Sequence, residues 1–157
     1  MKNHRLLLLY SYFVRLMLFP LPDSPTTMRL RGWFYSLFMG SAGRNFQVAS
    51  TAVLRGIEKI HCGEDVYIGP NAYVMARKGI FIESEVLIAM NVVVVDANHG
   101  KDMRSNSYRF NRGTEETILI GRGSWIAANS VVTAGANIAE GTLVPPCVVV
   151  RKIRDKK

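Results

Sequence analysis

The strongest constraint on the fold is a repeat: from residue 40 onward, apolar side chains recur every six positions inside blocks of twenty. Ile60–Gly79, Ile80–His99 and Ile118–Asn137 can be written one above another. Their third, ninth and fifteenth places then read Cys62, Ile68 and Val74; Ile82, Ile88 and Val94; Ile120, Ile126 and Val132. A preceding block supplies Ala42, Val48 and Leu54, and a following one Ile138, Val144 and Val150. The place after each ninth residue is small (Gly69, Ala89, Ala127), and the twelfth is Asn71, Asn91 and Asn129. Three short flat strands per block, with inward side chains stacking on those of the next coil, satisfy this pattern. Asparagine recurs where a corner needs a positive φ, which it tolerates better than other residues bearing a Cβ. Each Val or Ile buried in this way contributes about 1.5–3 kcal/mol relative to exposure.

The register breaks once. Between His99 and Ile118 lie 18 residues, 100–117, poor in apolar side chains and carrying Lys101, Arg104, Arg109 and Arg112. Insertions on rigid scaffolds carry function disproportionately often. Ahead of the repeat, residues 5–21 are the most apolar stretch, but Arg5 and Arg15 interrupt it and Pro20 and Pro22 close it. That is short for a spanning helix, which needs about 20 apolar residues. The sequence LFPLPDSP follows in place of the small-residue site of a secretory signal, so cleavage is not expected. In residues 28–38, MRLRGWFYSLF, arginines sit beside a wide apolar face. The two segments read either as helices in peripheral contact with a membrane or as helices packed on the end of the repeat or in an oligomer. The organisation is thus a helical extension over 1–39 and a repeat domain over 40–157 with an insertion at 100–117.

A chain of 157 residues with 48% hydrophobic side chains is about one domain with a real core. Two cysteines, Cys62 and Cys147, are too few for a disulfide scaffold or a four-thiolate zinc site, which fits reduced thiols in the cytoplasm. Lys and Arg number 20 against 12 Asp and Glu, and the net charge of +8 calls for an anionic partner. Nucleic acid is not that partner, because the arginines are spread over the N-terminus, the insertion and the tail with no recognised module.

The repeat resembles the left-handed β-helix of the hexapeptide-repeat acyltransferases over about residues 40–154. The likeness is sharpest in Gly121-Arg122-Gly123-Ser124-Trp125-Ile126-Ala127-Ala128-Asn129-Ser130-Val131-Val132, which is similar to the galactoside and maltose O-acetyltransferase branch. The implied fold is all-β, a left-handed parallel β-helix with an N-terminal helical extension. Its hand comes from the resemblance, since parallel crossovers are usually right-handed. The basic aromatic lead-in resembles that of enzymes acetylating capsule, lipopolysaccharide or exopolysaccharide sugars. The resemblance therefore implies an O-acetyltransferase moving an acetyl group from acetyl-CoA to a sugar hydroxyl of a bacterial surface glycan or its precursor. It further implies a homotrimer with acetyl-CoA in the groove between neighbouring β-helices, working in the cytoplasm or at the inner face of the membrane.

Asp96-Ala97-Asn98-His99-Gly100 resembles the catalytic histidine segment of that family. A neutral imidazole can accept a proton from a sugar hydroxyl as its oxygen attacks a thioester, so His99 is the expected general base. Asp96 either orients His99 or caps the turn backbone. Trp125 matches the family's tryptophan beside the pantetheine, and Ala127 and Ala128 follow as cofactor contacts, Ala128 through its backbone N–H. Arg151, Lys152 and Arg154 match the basic residues that face the cofactor's phosphates. Arg104, Tyr108 and Arg109 of the insertion are the expected acceptor contacts. One departure stands out: where the family has a second free N–H in a Gly-Ala-Gly run, this chain has Pro145, Pro146 and Cys147, and proline has no N–H to give. His4 and His61 read as structural or surface residues, Asn91 as a corner residue, and neither cysteine as an activated nucleophile. Two other readings stay open: N-acetylation of an amino sugar or small amine, and a non-catalytic trimeric scaffold. No metal is expected, because a zinc site of the carbonic anhydrase kind needs three converging imidazoles and the repeat region offers only His61 and His99.

Overall fold

In a computed structural model, which describes residues 4–111 and 113–152, the blocks of twenty wind into a parallel β-helix with three five-stranded faces. The first face stacks Ser41–Ala42, Ile60–Cys62, Ile80–Ile82, Ile118–Ile120 and Asn137–Ile138. The second stacks Gln47–Val48, Tyr67–Ile68, Leu87–Ile88, Trp125–Ile126 and Leu143–Val144. The third stacks Val53–Arg55, Tyr73–Met75, Val93–Val95, Val131–Thr133 and Val149–Val150. Cys62 pairs with Ile82 and Ile82 with Ile120, so the coil resumes in register after the insertion.

Ile68, Val74, Ile88, Val94, Ile120, Ile126 and Val132 are fully buried, as the repeat requires. A second inward set lies two places earlier on each strand: Ile60, Ile80 and Ile118 on the first face, Val66 and Val86 before the second, Ala72 and Val92 before the third. Side chains two apart on a strand share a face, so each flat side of the triangle points two residues inward. In the fourth coil this second set includes Ser124 and Ser130. Their hydroxyls donate to the carbonyls of Ala139 (2.9 Å) and Pro145 (2.8 Å), so no buried donor is left unpaired there. The corner asparagines take positive φ as expected: 56° at Asn71, 58° at Asn91 and 62° at Asn129. Cys147, at 61°, holds the same corner in the last coil.

The N-terminal segment forms α1 (His4–Leu18) and α2 (Pro25–Ser36). Ser24 caps α2: its hydroxyl accepts the Thr27 N–H and its own N–H donates back to the Thr27 hydroxyl, with Pro25 in the first turn. Leu7, Ser11 and Val14 of α1 and Met28 and Tyr35 of α2 are buried, with Val14, Met28 and Tyr35 continuous with the β-helix core, and so close its open first end. Arg31 is almost wholly buried and donates to Asp23 (2.7 Å) and to the carbonyls of Leu18, Leu21, Pro22 and Val48. Asp23 in turn accepts the Ser50 N–H at 2.8 Å, tying the helix linker to the first coil. The inner faces of both helices therefore pack on the end of the repeat. Among the described residues no helix is long and apolar enough to cross a membrane.

Candidate active site

The insertion folds as a hairpin whose stem pairs Ala97–Asn98 antiparallel with Thr114–Glu115, and whose tip is closed by a bridge between Asp102 and Ser107. Asp96 anchors that stem. It takes the register place filled by Ala76 and Ala134 in neighbouring coils, so its carboxylate is fully buried. There it accepts the backbone N–H groups of Arg77 (2.8 Å), Lys78 (2.7 Å) and Gly79 (2.7 Å), while its own carbonyl accepts the Glu116 N–H at 2.9 Å. Of the two roles open to Asp96, the geometry holds the backbone cap. The hairpin neck is as tight: a Cβ on Gly113 would lie 1.3 Å from the Asn98 carbonyl oxygen.

His99 leaves this stem exposed to solvent, in a cleft of about 600 Å³ lined also by Met75, Arg77, Arg109, Phe110 and Glu115. Its imidazole makes no hydrogen bond to another described residue, so both ring nitrogens are available to an incoming hydroxyl. The Arg77 guanidinium stands 4.0 Å from the Glu115 carboxylate across the cleft. Arg77 occupies an ordinary corner place of the preceding coil, and Phe110 and Glu115 sit among the charged residues of the insertion, so nothing in their sequence positions sets them apart. Arg109 lines the cleft, whereas Arg104 and Tyr108 are exposed near the hairpin tip outside it. The Arg104 backbone N–H bonds the Asp102 carboxylate (2.8 Å) and holds it below the usual carboxylate range. Arg112 and Arg154 lie outside the described residues.

A second cleft, about 680 Å³, opens on the other side of the hairpin stem between Asn98, Glu116, Thr133, Arg151 and Lys152. Lys152 pairs with Glu116 at 2.5 Å, and Asn98 borders both clefts. His99 and the two basic residues thus flank one stem. Trp125, Ala127 and Ala128 do not join them. Trp125 is half-exposed on the second face, paired with Leu87 and Leu143, and the third face separates its corner from His99. The Ala127 N–H is taken by the Val144 carbonyl (3.0 Å), but the Ala128 N–H at the corner meets no acceptor among the described residues. One chain therefore holds the expected residues in two groups on opposite edges of its third face.

The remaining candidates are structural. His61 stacks on Phe81 (4.6 Å, 4°) and bonds the Ser41 hydroxyl, and His4 pairs with Glu58 at 2.6 Å. Burial pushes the Cys62 thiol up to about 12, which removes it as a nucleophile. Among the described residues no group of three or more His, Cys, Asp or Glu could hold a metal ion.

Coil, corner asparagines and hairpin together define a β-helix of hexapeptide repeats. The family described as the hexapeptide repeat of succinyl-transferase matches residues 60–96. A galactoside O-acetyltransferase of Lactococcus lactis subsp. lactis (strain IL1403) is 28% identical over 116 residues, covering 64% of this chain and 56% of that protein. The chain thus spans little more than half the length of that curated relative. A hexapeptide-repeat acetyltransferase of Vibrio cholerae O1 biovar eltor, crystallised with acetyl coenzyme A, superposes with a TM-score of 0.73 at 19% identity, over 94% of this chain and 78% of that one. A galactoside acetyltransferase in complex with coenzyme A gives 0.68 at 19% identity, over 99% and 83%. The chain carries the hexapeptide repeat and has the fold of these acetyltransferases.

Proposed function

We propose that the protein is an acetyltransferase that moves an acetyl group from acetyl-CoA to a sugar hydroxyl of a bacterial surface glycan or its precursor. The observation that carries this reading is His99, exposed and without a hydrogen-bond partner among the described residues, in a cleft of about 600 Å³ beneath the hairpin. The residues present fit acetyl-CoA: the Ala128 N–H, which meets no acceptor among the described residues, the half-exposed Trp125 and the cations Arg151 and Lys152, although Pro145 and Pro146 remove the N–H of the next coil. When bound, that molecule supplies the acetyl group as an activated thioester. His99 takes the proton from the acceptor hydroxyl as its oxygen bonds to the acyl carbon, and returns it to the sulfur when the carbon–sulfur bond breaks. The Ala128 N–H is fixed by the corner before reaction and costs no reorganisation as charge develops on the acyl oxygen. Arg109 and Phe110 hold the acceptor, with Arg104 and Tyr108 reaching it from the hairpin tip. Asp96 serves as a positioning residue.

The two groups meet when the third face of one copy approaches the Trp125 edge of the next, which supports a homotrimer with the groove between copies as the site. Exposed Leu87, Trp125 and Leu143 give that edge an apolar surface suited to a partner copy. The free thiols Cys62 and Cys147 suit a reducing, cytoplasmic setting. Incubation with radiolabelled acetyl-CoA and a panel of hydroxyl and amino sugars tests the assignment. We expect label on hydroxyl sugars, and His99→Ala to lower transfer by about 10²-fold or more with an unchanged melting curve. Undiminished turnover in His99→Ala overturns the role of His99, label confined to amines points to N-acetylation, and no transfer to any acceptor points to a scaffold.

A further inference from the structure

Helix α1 carries apolar side chains on both its covered and its open side, interrupted by Arg5 and Arg15. Leu7, Ser11 and Val14 are buried on the first coil. On the opposite side Leu6, Leu9, Tyr12, Phe13, Leu16 and Met17 are each between 54% and 64% exposed. A helix with a wide apolar surface outside its packed face leaves that surface to be covered by something else. The exposed surface extends to the turn after α2, where Phe38 meets the Tyr10 ring edge-on at 4.6 Å, and on α2 itself Trp33 is 56% exposed. Large exposed apolar surfaces of this kind mark interaction sites.

The charge around this surface selects the occupant. Neither α1 nor α2 contains an acidic residue, while Arg5, Arg15 and Arg29 stand among the apolar side chains. The one carboxylate between residues 4 and 38, Asp23, is held by the buried Arg31 at 2.7 Å, and Glu58 beside α1 is paired with His4 at 2.6 Å. A second copy docked on the same face by a two-fold axis would bring these arginines toward their own counterparts. An anionic bilayer surface accepts both the apolar side chains and the positive charge, and aromatic residues are favoured at that depth. At 15 residues α1 is about 22 Å long, short of a hydrocarbon core of about 30 Å. It can lie in the interface but not cross it. We infer that the outer face of α1 docks this protein on an anionic lipid surface, with Leu9, Phe13 and Leu16 immersed and Arg5, Arg15 and Arg29 at the headgroups. This surface is independent of the acetyl-transfer site.

Sedimentation of the full chain with vesicles tests it. Vesicles of phosphatidylcholine containing phosphatidylglycerol should carry the protein down, and binding should fall by about tenfold or more on pure phosphatidylcholine or in high salt. The double variant Leu9→Glu/Phe13→Glu, at two exposed positions, should lose vesicle binding while keeping the circular dichroism spectrum of the wild type. Wild-type protein that stays in the supernatant with phosphatidylglycerol vesicles overturns the proposal. So does a double variant that binds as before. An oligomer that forms in the wild type without vesicle binding, and that the double variant dissociates, assigns the face to a second copy instead. If the double variant misfolds, the dependence of the wild type on lipid charge and salt decides alone.

Discussion

At the corner after the second face, Asn71, Asn91, Asn129 and Cys147 share a φ of 56–62°. An L-residue in that left-handed region bears about 1–2 kcal/mol of steric cost, which asparagine relieves through its short polar side chain. Cys147 has no such relief and its thiol is free and exposed. Replacing Cys147 by Asn is therefore expected to raise the unfolding free energy by about 1 kcal/mol, seen as a higher denaturant midpoint at constant m. An unchanged or lower midpoint would show the corner to be unstrained. The recurrence of asparagine made three of these corners readable in the sequence. The fourth was readable only as a register place, because nothing in Cys147 itself signals a left-handed backbone.

At the scale of the element, the hairpin is held by a buried carboxylate rather than by its own composition. Asp96→Asn places an amide NH2 where backbone N–H groups of Arg77, Lys78 and Gly79 already point, leaving a buried donor facing donors. The expected cost is about 2–3 kcal/mol of stability. The expected kinetic result is a fall in kcat with little change in KM for acetyl-CoA, since the stem carries His99 while the Trp125 corner is untouched. A KM effect alone would detach Asp96 from the placement of His99. The insertion was visible in the sequence as a break in register, directly after the segment that resembles the family's catalytic histidine. Its stem was not visible, because Ala97–Asn98 and Thr114–Glu115 are too short to show a period. Gly113 looks like any loop glycine until the Asn98 carbonyl is placed beside it.

At the scale of the molecule, the proposed site is divided between two edges of one chain, with His99 on one and Ala128 on the other. Ala128 shares its corner place with Pro70 and Pro146, so Ala128→Pro should fold normally and remove only the N–H. Each of His99→Ala and Ala128→Pro is expected to be impaired alone. Mixed trimers of the two should recover activity toward about a quarter of the wild-type level, the chance that a given crevice receives His99 from one copy and Ala128 from its neighbour. Failure to complement, with mixed assembly verified by mass, would place both groups in a single-chain site or in none.

What the sequence determined by itself was everything that repeats. Stacked coils put the same demand on every block, so Ile68, Ile88 and Ile126, or Asn71, Asn91 and Asn129, report a shared environment that no single block could reveal. The second inward set escaped that reading, because the places of Val66 and Ala72 become Ser124 and Ser130 in the fourth coil and look polar until their hydroxyls are seen bonded to Ala139 and Pro145. The tertiary structure alone decided what happens once: the carboxylate of Asp96 turned into a corner, the closing of the first coil by two helices with an apolar outer face, and the separation of His99 from Trp125 by the width of a sheet. Events without a repeat leave no period in the chain, and a distance across a face depends on how many residues each strand spends before it turns.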